Sequence, residues 1–230
     1  MPMQDHITLK RKDALCYAVA ASCRGALRTY YDLSIEGKGI IKDLHGQGFI
    51  LLPNHQSNLD IPFESVALLE ADSRLGFYLM KGSLPKFYEF LGGISQDRMK
   101  EVNRKAGDDP ELRNHLLRNA ARQRERFFSE TVPYLIDEDE AVVIHPQATR
   151  TYQMAAPMSR RNLQKILEAQ KVHEARTGRK IPLVPLEITY ENKYRPDSRV
   201  SMRFGEPIAV ASDEVSKLEE HLKKENRFFE

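Results

Sequence analysis

The stretch Gly48-Phe-Ile-Leu-Leu-Pro-Asn-His-Gln-Ser-Asn-Leu-Asp60 decides the fold reading. Phe49 to Leu52 form a short apolar run bounded by Gly48 and Pro53, the pattern of a strand buried on both faces. The following Ile61-Pro-Phe-Glu-Ser-Val-Ala-Leu-Leu69 suits a helix, with Pro62 in its first turn. A buried strand running into a helix puts His55 in the turn at the strand's carboxyl end, where open α/β sheets hold their ligands.

The spacing of His55 and Asp60 alone is weak evidence. With seven His and thirteen Asp in 230 residues, H-x4-D arises by chance roughly 0.4 times in such a chain. A surface histidine capping a turn, with Asp60 capping the next helix, explains the spacing equally well. The chemical case is stronger. Imidazole accepts and returns a proton near neutral pH once something fixes its tautomer. A carboxylate accepting the Nδ1 proton leaves Nε2 to act on a substrate hydroxyl, so that the substrate supplies the nucleophile.

Working outward, strand-like runs cover Leu33 to Glu36, Gly48 to Leu52, Arg74 to Met80, Ile94 to Gln96, Ala141 to Ile144, Leu183 to Tyr190 and Val200 to Phe204. Helical patterns cover 14 to 31, 59 to 70, 84 to 91, 110 to 131, 159 to 177 and 213 to 227. This alternation predicts a single α/β domain with a mixed central sheet flanked by helices, over residues 33–230. Residues 1–32 form an amino-terminal segment whose helix repeats Leu15, Val19, Cys23, Leu27 and Tyr31 every fourth residue. That stripe fits either packing on the domain's own core or lying on a membrane surface.

Composition sets bounds. With 41% hydrophobic residues the chain buries a real core, and 30% charged residues argue against a membrane-embedded or largely disordered protein. The uncharged run from Ala14 to Cys23 is far shorter than the roughly twenty residues that span a bilayer. Cys16 and Cys23 lie two helical turns apart, too far for a disulfide within one helix, so a reducing, cytoplasmic setting is expected. No H-x3-H, H-E-x-x-H or paired-cysteine spacing suggests a metal, and no glycine-rich phosphate loop suggests a nucleotide. His55 and His145 would meet only if their segments converge. Basic stretches at 98–126 and 158–180 suit an anionic partner, although most of these residues fit a solvated helix face. Nucleic acid is disfavoured, because Arg113, Arg118, Arg122 and Arg126 have no interleaved aromatics.

Four blocks in order resemble the glycerol-phosphate and lysophosphatidate acyltransferases. Asn54, His55 and Asp60 match an N-H-x4-D block, and Leu91-Gly-Gly-Ile-Ser-Gln-Asp-Arg98 resembles the glycine-containing second block, with Lys81 upstream of it. His145-Pro-Gln-Ala-Thr-Arg150 is similar to F-P-E-G-T-R, with Gln147 for glutamate and Ala148 for glycine. Ile181-Pro-Leu-Val-Pro-Leu-Glu-Ile-Thr-Tyr190 is similar to the fourth block.

The resemblance implies an O-acyltransferase with His55 as general base and Asp60 as its partner. Substrate contacts are expected from Asn54, Lys81, Arg98, Gln147, Thr149 and Arg150, of which Lys81, Arg98 and Arg150 would hold an acceptor phosphate. It implies no cofactor and no metal. Acyl-coenzyme A or an acyl carrier protein would be the thioester donor, and a phosphorylated glycerol or lysolipid the acceptor. The protein would sit peripherally on the cytoplasmic, inner face of an anionic membrane. Gln147 and Ala148 keep open an alternative, a lipid-binding protein of this fold that has lost turnover. The apolar loop 151–158 fits a wall for an acyl chain and fits a packed surface loop equally well.

Overall fold

The computed structural model of the protein describes residues 11–147, 157–211 and 214–226. Seven strands form one mixed sheet: β1 Tyr31–Glu36, β2 Phe49–Pro53, β3 Gly76–Lys81, β4 Gly93–Gln96, β5 Ala141–Val143, β6 Leu183–Tyr190 and β7 Ser198–Phe204. Their order is β1-β7-β6-β2-β5-β3-β4, and every pairing is parallel except β6 with β7. All seven expected strands are present, with ends within two residues of those read from the sequence. The fold is a single α/β domain of the expected kind.

β2 lies at the centre of this arrangement. Its side chains alternate, so that Phe49 and Leu51 join one buried cluster and Ile50 and Leu52 the other. Such a strand reads as a continuous apolar run because helices cover both sheet faces. On the first face lie α2 Lys38–Asp43 and α3 Asp60–Asp72, which contribute Ile41, Phe63, Val66 and Leu68. On the other lie α7 Val132–Asp137, α8 Arg160–Thr177 and α9 Val215–Glu225, through residues such as Leu135, Leu163, Leu167 and Leu218. The amino-terminal helix α1 Asp13–Tyr30 packs along α3, burying Cys16 and Ala20 with Cys23 and Leu27 partly covered. Arg28 pairs with Glu70 of α3 at 2.6 Å.

Three helical departures have local causes. The pattern over 110–131 suggests one helix, but α6 Pro110–Arg126 gives way to a π-helical turn, Phe127–Thr131, before α7. Pro133 has no N–H and its ring would crowd the carbonyl of Ser129 in a regular helix, and the wider turn accommodates it. Helix α2 begins after Gly37 at φ +70°, where an added Cβ would lie 2.5 Å from the Phe204 carbonyl oxygen. Like α5 Met99–Ala106, α2 is too short for its periodicity to stand out in the sequence. The short α4 Phe87–Phe90 lies within the expected 84–91.

Leu51 is fully buried between β5, β6 and α3. Replacing it with alanine is expected to cost about 2–5 kcal/mol of unfolding free energy by opening a cavity that the surrounding strands cannot close. Urea denaturation checks this as a lower midpoint with an unchanged slope.

Candidate active site

The turn after β2 is built around one buried carboxylate. Asp60, the first residue of α3, is fully buried, and its Oδ2 accepts the backbone N–H of Gln56 at 2.7 Å and of Ser57 at 2.8 Å. The same oxygen lies 2.9 Å from His55 Nδ1, and Oδ1 accepts the Tyr190 hydroxyl at 2.6 Å. Burial alone would raise the Asp60 pKa. Hydrogen bonds from His55, Ser57 and Tyr190 outweigh it and hold the carboxyl below its usual range. An ionised carboxylate accepts only, so the Nδ1 proton stays on His55 and the basic nitrogen is Nε2. Burial and the nearby Asp60 charge push the Tyr190 phenol upward, which keeps it a neutral donor.

Asn54 and Gln147 hold the turn in place. Asn54 Nδ2 donates to the Ile188 carbonyl at 2.9 Å and Oδ1 accepts the Ile188 N–H at 2.7 Å, so the side chain adds a rung between β2 and β6. Both polar ends of the Asn54 amide are thus engaged on the scaffold. Gln147 Oε1 accepts the His55 N–H at 2.5 Å, linking the turn after β5 to the turn after β2. One acceptor oxygen suffices for that bond, and an amide supplies it as well as a carboxylate does. Gln147 Nε2 is buried with no hydrogen-bond partner among the described residues.

A second histidine joins the first. His145 follows β5, its ring centroid lies 4.1 Å from that of His55 with the planes tilted by 34°, and its Nε2 is 2.9 Å from Glu64 Oε1. Glu64 lies on α3 four residues after Asp60, fully buried, and its Oε2 has no partner among the described residues. Burial dominates at Glu64 and raises its pKa against the pull of His145. Burial would lower the pKa of His145, but the charge and hydrogen bond of Glu64, aided by Asp60, raise it, with Arg98 opposing. Among the described residues, no three His, Cys, Asp or Glu side chains are grouped as a metal site requires.

The expected cations lie at the same end of the sheet. Lys81 ends β3 and is paired in register with Gln96 of β4, and Arg98 immediately precedes α5. β3 and β4 are the second and third strands beyond β2, which puts Arg98 about 15 Å across the sheet at ~4.8 Å per strand. Arg98 is nonetheless electrostatically felt at His145 and at Arg124. Arg124 of α6 bonds Asn162 Oδ1, and Asn162 Nδ2 donates to the His145 carbonyl at 3.2 Å. Burial lowers the Arg124 pKa, with Arg161 and Arg98 adding to the effect. Thr149, Arg150, Ala148 and loop positions 151–156 lie outside the described residues.

Residues 33–189 match the acyltransferase family. The chain belongs to this family. Among solved structures, the 1-acyl-sn-glycerophosphate acyltransferase PlsC from Thermotoga maritima is similar in fold at a TM-score of 0.55, with 17% identity over 92% of this chain and 77% of that one. No curated protein sequence matches the chain. Within this acyltransferase-family domain, sequence reasoning overlooked Glu64, Tyr190, Arg124 and Asn162. Glu64 carried a signal, since i and i+4 share a helix face, but its partner is 81 positions away. Tyr190 looked like the end of an apolar strand.

Because the folded pKa of Asp60 is depressed, its contribution to stability is complete above the unfolded value near 3.9 and is lost as pH falls through the folded value. Tyr190→Phe removes one bond to that charge and should cost about 1.5–3 kcal/mol at pH 7. Denaturation curves of the two proteins are expected to converge as the pH is lowered below about 3.9, and a constant gap would mean that the phenol stabilises something other than ionised Asp60.

Proposed function

We propose that this acyltransferase-family chain moves a fatty acyl group from a thioester to the hydroxyl of a phosphorylated glycerol or lysolipid, with His55 as general base. The observation that carries the reading is the His55–Asp60 pair at the carboxyl end of the central strand, with Asp60 held ionised by four donors. His55 Nε2 takes the hydroxyl proton as the oxygen attacks the thioester carbon. The C–O bond forms, the tetrahedral oxyanion collapses, the C–S bond breaks, and the proton passes from Nε2 to the departing thiolate. No group on the protein is acylated and no cofactor takes part.

Lys81, Arg98 and, outside the described residues, Arg150 are assigned to the acceptor phosphate. A lysine point charge with guanidinium forks suits a dianion. Thr149 joins them on sequence grounds alone. Asn54 and Gln147 are given a positioning role, because their side chains hold the turn that carries His55. The donor is an acyl-coenzyme A or an acyl carrier protein.

A peripheral position on the inner, anionic face of a membrane is part of the proposal. Among the described residues no helix is long and apolar enough to cross a bilayer. The large apolar side chains Leu84, Phe87, Tyr88 and Met99 are exposed on segments that also carry Lys81, Lys86 and Arg98. Apolar tips amid basic residues suit an anionic interface. On α1, by contrast, Cys16 and Ala20 are buried and Cys23 and Leu27 pack against the domain's own core.

His55→Ala should lower the transfer rate about 10²- to 10⁴-fold with the fold intact, measured with acyl thioester and a panel of acceptors by mass analysis of products. Retention of a tenth of the activity would exclude general-base catalysis by His55. Binding of thioester without transfer to any acceptor would favour the lipid-binding alternative. Vesicle binding is expected to rise with anionic lipid and fall with salt, as a screened surface attraction must.

A further inference from the structure

Four groups on α3 and the two turns after β2 and β5 form paired rungs. Asp60 and Glu64, one helical turn apart, each face an imidazole, and the two imidazole centroids lie 4.1 Å apart with their planes tilted by 34°. His55 presents Nδ1 to its carboxylate and His145 presents Nε2. The acyl transfer described above needs only the first rung. The second has a cost, because a fully buried carboxyl group with one oxygen unpartnered among the described residues is not fully compensated for the water it has lost.

Resting on the acyltransferase reading, we infer that His145 and Glu64 are a positioning pair for His55: the His145 ring, anchored on Glu64, limits the orientation of the base and sets a second ionisable imidazole 4.1 Å from it. The shape argument is direct. His55 is hinged on its Nδ1 bond to Asp60 and on a backbone bond to Gln147, and the His145 ring closes one face of the imidazole. The charge argument follows from what surrounds the two rings. Asp60 and Glu64 face them from α3, the Tyr190 hydroxyl reaches Asp60 from β6, and Arg98 acts from the head of α5. Glu64 and Asp60 favour a protonated His145, and a positive ring 4.1 Å from His55 disfavours a second positive charge there. The environments of the two pairs thus push their protonation apart, the condition under which one member works as a base beside another that stays loaded.

The test combines an imidazole titration by NMR on the full chain with the pH dependence of kcat/KM. His145→Phe keeps an aromatic ring against His55 but carries no proton, whereas His145→Ala removes both. In the phenylalanine variant the His55 midpoint should rise by at least about half a pH unit, since the neighbouring like charge is lost, and the acid limb of kcat/KM should move with it at unchanged KM. The alanine variant should show the same shift together with a lower plateau, part of which phenylalanine rescues. Glu64→Gln should lower the His145 midpoint. An unchanged His55 midpoint in His145→Phe, or an unchanged His145 midpoint in Glu64→Gln, would overturn the inference and leave His145 as packing. The titrations need no substrate, so they read the pair even if no acceptor is turned over, and thermal midpoints of the variants separate these effects from unfolding.

Discussion

The buried Asp60 carboxylate is the constraint on which the rest of the site depends. Removing a charge from water costs several kcal/mol unless donors replace the solvent, and here two backbone amides, an imidazole and a phenol do so. Those donors come from the turn after β2 and from β6, so satisfying one anion fixes the path of the chain from Asn54 to α3 and the orientation of His55. Its position at the start of α3 helps, because helix N-termini favour negative charge. The anion is therefore both the structural centre of the turn and the group that sets the histidine tautomer.

Sheet topology explains why the site residues gather where they do. β2, β5, β3 and β4 are parallel neighbours, so their carboxyl ends share one edge of the molecule. His55, His145 with Gln147, and Arg98 follow the ends of β2, β5 and β4, and Lys81 is the last residue of β3. Segments separated by nearly a hundred residues thus meet with no long connection. The departure from the family pattern at Gln147 becomes intelligible in the same frame, since the bond to the His55 amide needs an acceptor oxygen and not a charge.

Much of the scaffold was legible in the sequence because the strands are buried on both faces and so read as unbroken apolar runs, as Phe49–Leu52 shows. The short helices α2 and α5 were not legible, because six to eight residues give too few turns for a periodicity. The widening at Phe127–Thr131 was hidden for another reason: Pro133 signals a break, but whether a chain stops, kinks or widens is settled by packing. His55 and Asp60 could be paired from local spacing alone. Glu64 with His145, Asn54 with Ile188 and Gln147 with His55 could not, since each depends on which strands lie side by side.

The central claim is that His55 activates the substrate's hydroxyl directly, with no acylated protein on the way. Ser57 is the hydroxyl closest in sequence to His55 and accepts the Leu59 N–H at 3.1 Å, so it is the side chain to watch. The most direct test is the intact mass of the protein after mixing with an acyl thioester in the absence of acceptor. The account predicts an unmodified mass and release of thiol only when acceptor is added. A stoichiometric acyl adduct that then passes into product would contradict it.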